Sequence, residues 1–278
     1  MNEGFEMNQE LEILLKITEQ ANAHAMEWSQ LSGANDPEIK DDGSPVTVVD
    51  KKLNQFLSDQ IRSHFPNDGF VGEESDSHAV PIGLDRVWYV DPLDGTKEFV
   101  KGTNEWSTIL GLCESNVPVL ATVGHPTENF VYYAQKGKGA FRRNSLTGKD
   151  EPLSTRSSFN PEDLMMLGSQ TKIDPSEPAL MSELNIVQKM KHGSIGLKAA
   201  VIARGDADLY VNSHGWCSYW DLVASDLILQ ESGGQILDFD LNPLKYDPKL
   251  GVRVDRGFIM ATNAVIDQYR AKLMEALQ

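Results

Sequence analysis

The stretch Trp88-Tyr89-Val90-Asp91-Pro92-Leu93-Asp94-Gly95-Thr96-Lys97-Glu98-Phe99 constrains this chain more than any other. The run leading into it, Val87 to Val90, is apolar and β-favouring and reads as a short buried strand. That strand delivers two carboxylates, Asp91 and Asp94, on either side of a Pro-Leu pair. Pro92 fixes one φ and has no N–H to donate, so a turn is predicted there. A tight turn aims both carboxylates and the Leu93 carbonyl at one point, and three convergent hard oxygens make a partial shell for Mg²⁺. Gly95-Thr96 then opens a predicted helix, whose N–H groups and positive end favour a phosphate. Asp-Pro and Asp-Gly are each ordinary turn dipeptides. Their combination with Thr96 behind an apolar strand points to metal-assisted phosphoryl chemistry.

With 278 residues, 40% of them hydrophobic, the chain can build one large domain or two moderate ones. Its net charge of −16, from 41 acidic and 25 basic residues, argues against binding to a nucleic-acid polymer or a membrane surface. An anionic substrate stays open, because bound divalent ions reverse the local field. Cys113 and Cys217 show no CxxC spacing, which argues against a disulfide framework and for a reducing, cytoplasmic setting. The acidic, polar start carries no visible signal peptide, and no apolar run approaches the ~20 residues of a membrane span. The six histidines lack HxxxH or HExxH pairing, so zinc is not expected.

Periodicity predicts a helix from about Met7 to Trp28, with Leu11, Leu14, Leu15, Thr18, Ala21, Ala25 and Trp28 on one face. A polar loop over 32–44 follows, then a helix to about Ser63 striped by Val49, Leu53, Phe56, Leu57 and Ile61. Phe70 to Ser75 reads as a short strand ending in the paired acids Glu73 and Glu74. Alternation at 108–112, 120–124 and 130–133, with Gly137-Lys138-Gly139 before Ala140-Phe141-Arg142, predicts an antiparallel meander. The stretch 144–160, rich in Ser, Thr, Gly, Asp and Pro, is the expected boundary between an N-terminal α+β half (1–150) and a C-terminal α/β half (151–278). Beyond it, strands are expected at 164–167, 207–211, 235–237 and 258–261. Helices are expected at 177–190, 198–203, 220–232 and 265–277, which together imply a sheet with helices on its faces.

Three acids carry competing readings. Thr47 and Asp50 stand at capping-box spacing, so Asp50 is either a cap or a chemical group near Thr96. Glu73 is either an exposed loop acid or a strand-end carboxylate feeding a metal. Asp221, in the first turn of a predicted helix, is ordinary dipole chemistry or a further ligand.

Taken together, Gly72-Glu73-Glu74-Ser75, Trp88 to Phe99 and Trp220-Asp221, in this order, resemble the inositol monophosphatase superfamily over nearly the whole chain. The resemblance implies Mg²⁺-dependent, lithium-sensitive phosphatases with a layered αβαβα sandwich: an N-terminal antiparallel sheet, a C-terminal mixed sheet and flanking helices. Gly95-Thr96-Lys97-Glu98-Phe99 is similar to the CysQ-type 3'(2'),5'-bisphosphate nucleotidases, as are Ser44 to Asp50 and Leu197-Lys198 ahead of Ala207 to Tyr210. By that resemblance Glu73, Asp91, Asp94, Asp221 and the Leu93 carbonyl hold two or three Mg²⁺ ions. Asp50 and Thr96 orient and deprotonate the attacking water, and Gly95 and Thr96 hold the scissile phosphate through backbone N–H groups. Lys198 meets a second phosphate. Asp221 and Ser194 are further candidates at the substrate, and a homodimer is also implied.

Departures are visible. Ile195 stands where the nucleotidases have a serine three residues before the lysine, with Ser194 one place earlier. Leu222 to Asp226 lacks the usual glycine, and His214 replaces a glutamate of the inositol branch. The leading expectation is removal of the 3'-phosphate from adenosine 3',5'-bisphosphate or its sulfated form. The alternatives are a phosphatase for inositol or other sugar phosphates, and a regulatory binding protein with weak catalysis. Trp106, His214, Trp216 and Tyr219 are candidates for stacking on a base, with core packing the competing reading for the aromatics.

Overall fold

The computed structural model of the protein describes residues 7–79, 83–158, 160–254 and 256–277. The first six residues, read above for a signal peptide, and residue 159 of the expected boundary lie outside them. Helix α1 (Gln9–Trp28) starts on Asn8, whose side chain accepts from the Leu11 N–H at 2.8 Å. Its predicted stripe is buried apart from half-buried Trp28. An antiparallel hairpin, β1 (Glu38–Ile39) with β2 (Pro45–Val46), starts inside the expected loop and ends just beyond it, before α2 (Val48–His64). Next come β3 (Gly69–Gly72), β4 (Arg86–Asp94) and the five-residue helix α3 (Thr96–Val100). The predicted meander follows as β5 (Ser107–Glu114), β6 (Val117–His125), β7 (Phe130–Gln135) and β8 (Ala140–Asn144). It is extended by β9 (Lys149–Pro152), which pairs with β8.

The second half runs β10 (Met165–Ser169), α4 (Glu177–Leu184), β11 (Gln188–His192), α5 (Ile195–Ala203), β12 (Leu209–Asn212), β13 (Cys217–Ser218) and α6 (Tyr219–Ser232). It closes with β14 (Gly234–Asp238), β15 (Arg253–Val254), β16 (Phe258–Thr262) and α7 (Asn263–Ala276). The helix expected over 177–190 stops early. Asn185 takes a left-handed φ of 54° and ends α4, and the residues after it form an edge strand. At the end of α6, Gly233 has φ 102°, the left-handed cap expected there.

A seven-stranded sheet has the order β3-β4-β5-β6-β7-β8-β9, antiparallel except for the β3–β4 pair. A five-stranded mixed sheet has the order β11-β10-β12-β16-β14. Helices α1 and α2 cover one face of the first sheet, α5 and α6 fill the space between the sheets, and α4 packs with α7 over the second. The layers are therefore αβαβα. Helix α6 is buried on nearly every side, with Leu222, Val223, Ala224, Leu227, Ile228 and Leu229 all enclosed together with Ser225 and Asp226, as a helix caught between two sheets must be.

Strand β4 does not turn at Pro92; it bulges. Asp91 lies opposite Ile109 and Asp94 opposite Ser107, so three steps along β4 match two along β5. In a regular strand, residues three apart face opposite ways. The extra residue restores the parity, and Asp91 and Asp94 end on the same face, toward α6. Leu93 joins the core under α1 and α2 on the other face.

Helix α6 sits directly on Gly111 of β5: a Cβ there would lie 2.6 Å from Val223 Cγ1 and 2.8 Å from the Ala224 nitrogen. Gly111→Ala should therefore lower unfolding stability by about 1–3 kcal/mol through overpacking. An unchanged urea midpoint would contradict this contact.

Candidate active site

The bulge presents Asp91 and Asp94, and the N-terminus of α6 presents Asp221. One oxygen from each of these carboxylates lies within 4.8 Å of the others. The backbone fixes each of them. The Leu93 N–H donates to Asp91 Oδ1 at 2.9 Å, which folds the bulge around its own side chain. The Ser218 N–H donates to Asp221 Oδ2 at 2.6 Å in a capping box at the start of α6. Asp94 Oδ2 accepts three donors: Ser194 Oγ at 2.5 Å, the Gly196 N–H at 2.9 Å and Ser107 Oγ at 3.3 Å. No donor in the structure takes Asp94 Oδ1 among the described residues.

Asp50 uses both of its oxygens, one for the helix cap and one for Thr96. Its Oδ2 closes the capping box, accepting from the Thr47 N–H at 2.8 Å and from the Thr47 hydroxyl. Its Oδ1 accepts from Thr96 Oγ1 at 3.1 Å. The same Thr96 hydroxyl reaches the Leu93 carbonyl at 3.2 Å, and its single proton serves one acceptor at a time. Gly95 turns the chain between bulge and helix with φ 93°. A Cβ there would lie 2.9 Å from the Glu105 carbonyl oxygen, so both conformation and space demand glycine.

Glu73 stands apart from the three aspartates. Its N–H donates to the Val90 carbonyl at 3.0 Å, which ties its strand end to β4, while its Oε1 pairs with Lys40 Nζ at 3.0 Å. Lys40, just past β1, also pairs with Glu74. Ser194 turns its hydroxyl to Asp94 and Ser107 in the interior, and so acts on an acid in this structure. Lys198 is 4% exposed; its Nζ lies 3.4 Å from the Ser194 carbonyl and 5.0 Å from the Tyr210 ring centroid. No carboxylate stands within ion-pair distance of it among the described residues. Trp106 and Tyr219 are core residues, whereas His214 and Trp216 are exposed.

Sequence reasoning missed Lys40, Ser107 and Ser218. The Ser-x-x-Asp spacing from Ser218 to Asp221 was a usable capping signal. Lys40 gives none, because its partners lie more than 30 residues away.

Burial, then the charges of Glu73, Asp94 and Asp221, push the Asp91 carboxyl well above its ordinary range. Burial, then Asp94 and Glu73, do the same to Asp221. Asp94 is raised by burial against the opposing bonds from Ser194 and Gly196 and the charge of Lys198. Asp50 is raised by burial against its bonds to Thr47. Burial lowers the Lys198 ammonium against the pull of Asp94. Crowded, dehydrated hard oxygens of one sign form a donor set suited to a divalent cation of the Mg²⁺ type.

These features define a class. Residues 10–277 match the inositol monophosphatase family, and the chain belongs to it; it is a phosphoric monoester hydrolase acting on small phosphorylated substrates. It is similar to the 3'(2'),5'-bisphosphate nucleotidase CysQ of Aggregatibacter actinomycetemcomitans, 28% identical over 254 residues covering 90% of this chain and 91% of that protein. It is also similar to a histidinol-phosphatase of Chlorobaculum parvum, 26% identical over 262 residues covering 93% and 94%. The solved structure of the extragenic suppressor protein suhB from Bartonella henselae shares the fold at a TM-score of 0.79 and 19% identity, over 98% of this chain and 99% of that one. The layered sandwich expected from the sequence is thus the fold observed. Among the described residues no helix is long and apolar enough to cross a membrane.

Raised carboxyl pKa values mean that the folded protein binds more protons than the unfolded chain above about pH 4, so this cluster costs stability as pH rises. In chelator at neutral pH, Asp91→Asn should therefore melt higher than the parent by roughly 3 °C or more, and the gap should shrink toward about pH 4. Equal melting temperatures across that range would show that the acids do not repel one another.

Proposed function

We propose that the chain is a Mg²⁺-dependent phosphatase that removes the 3'-phosphate of adenosine 3',5'-bisphosphate, and of its sulfated form. The observation that carries this reading is the meeting of three carboxylates within 4.8 Å beside the Asp50–Thr96 hydrogen bond. In the proposal Asp91, Asp94, Asp221, Glu73 and the Leu93 carbonyl hold two or three Mg²⁺ ions, with Glu73 leaving Lys40 to do so. Bound there, Mg²⁺ would polarise the phosphoryl group and neutralise charge on the leaving oxygen.

The remaining work falls to side chains and backbone. A water lodged at the Thr96 hydroxyl attacks phosphorus and loses its proton through Thr96 Oγ1 to Asp50 Oδ1. The bond to the 3'-oxygen breaks, and that oxygen takes a proton from solvent water. The upward pull of burial on Asp50 suits it to accept a proton, and its bonds to Thr47 hold it in position. The Gly95 and Thr96 N–H groups hold the phosphate. Ser194 and Ser107 pin Asp94 Oδ2, which leaves Oδ1 for the cation. A buried ammonium without a carboxylate partner among the described residues supports Lys198 as the group that meets the second phosphate. A cytoplasmic setting belongs to the same proposal and is supported by Cys113 and Cys217, both free and buried.

Phosphate release from adenosine 3',5'-bisphosphate, inositol 1-phosphate and histidinol phosphate, with and without Mg²⁺ and Li⁺, tests the reading. The nucleotide should turn over fastest, chelator should abolish the rate, and Li⁺ should depress it. A metal-stripped protein working at full rate, or preference for either other substrate, would contradict it. Asp50→Asn should cut kcat by on the order of 10²-fold with circular dichroism unchanged. An undiminished rate would leave Asp50 as a helix cap alone.

A further inference from the structure

Glu73 and Asp221 come from different elements, and one side chain touches the backbone of the first and the neighbour of the second. His78 stands five residues after Glu73, and its Nε2 lies 2.8 Å from the Glu73 carbonyl oxygen. A carbonyl only accepts, so the ring donates from Nε2. The same ring packs on Trp220, with centroids 4.7 Å apart and planes at 51°. Trp220 is 8% exposed and immediately precedes Asp221 in the first turn of α6.

Glu73 is the acid of the proposed set whose carboxylate has to change partner, since its Oε1 is paired with Lys40 Nζ at 3.0 Å. Such a swing is productive only from a fixed backbone. The Val90 carbonyl holds the Glu73 N–H at 3.0 Å, and His78 holds the Glu73 carbonyl. Ser75 closes the turn itself: its N–H donates to the Gly72 carbonyl at 3.1 Å, and its Oγ accepts the Gly72 N–H at 3.2 Å. With both backbone groups of Glu73 tied, side-chain torsions alone carry the carboxylate from the ammonium to a cation, which lowers the ordering cost of binding. His78 is exposed, where one hydrogen bond and one ring contact contribute modestly to global stability. Its leverage is local, on the angle between the Glu73 turn and the start of α6.

We propose that His78 is a positioning residue of the metal site, pinning the Glu73 turn against the start of α6 so that Glu73 and Asp221 serve the same cations. The inference rests on the metal reading above. Calorimetric titration of Mn²⁺, a hard ion standing in for Mg²⁺, into the chelator-treated full chain tests it without turnover. The proteins compared are the parent, His78→Ala and His78→Gln, whose amide nitrogen can take the place of Nε2. Loss of the bond should raise the Mn²⁺ Kd by on the order of fivefold in His78→Ala. His78→Gln should return it to within about twofold of the parent. Because His78 acts through Glu73, His78→Ala made in a Glu73→Ala background should change Kd by less than about twofold. Melting temperatures of the parent and His78→Ala in chelator should agree. A parent-like Kd in His78→Ala, a His78→Gln no tighter than His78→Ala, or the full loss with Glu73 already removed overturns the positioning role and leaves the three-aspartate site standing. A lower melting temperature of His78→Ala in chelator marks a merely structural role and overturns it too. A parent that binds no Mn²⁺ overturns the metal reading itself.

Discussion

Three carboxylates crowded into a dry pocket repel one another, and the rest of the molecule is arranged to hold them there. The bulge in β4 brings Asp91 and Asp94 to one face, and α6 delivers Asp221 opposite them. Each acid is fixed by donors that take one oxygen: Leu93 N–H for Asp91, Ser218 N–H for Asp221, and Ser194, Gly196 and Ser107 for Asp94. Burial and mutual charge then raise all three carboxyls, so the site is a local cost that a bound divalent cation would offset. The αβαβα layering supplies what this needs. Helix α6, buried along most of its length between two sheets, cannot draw back from the bulge, because its backbone rests on Gly111.

The same economy of oxygens recurs at Asp50. Capping and proton transfer are alternatives on paper, yet a carboxylate has two oxygens and the structure gives one to Thr47 and the other to Thr96. The cap locks the side chain and leaves Oδ1 to Thr96, the contact that the proposed proton transfer would use. Lys198 shows the complementary arrangement in charge: a buried cation near Asp94, its ammonium over the Tyr210 ring and beside the Ser194 carbonyl.

Much of this was legible because the signals were local. The meander from β5 to β8 followed from alternation, and the stop of α6 from Gly233. The acids were legible by motif. What failed depended on distant partners. Pro92 reads as a turn, and only pairing with β5 converts it to a bulge. The 188–192 segment is polar and unpatterned, because an edge strand has little core to face, so the helix before it seemed to continue. The hairpin before α2 hid in Asp- and Gly-rich sequence, and with it Lys40 on Glu73. Nothing near Lys198 in the sequence says that its ammonium is buried, since its burial comes from packing between two sheets.

The central claim is that Asp91, Asp94 and Asp221 jointly bind divalent cations. Anomalous diffraction from crystals grown with Mn²⁺ in place of Mg²⁺ tests it most directly. The account predicts peaks within about 2.0–2.3 Å of carboxylate oxygens from all three residues. Peaks confined to other surface acids, with these three carboxylates bare at saturating Mn²⁺, would contradict it.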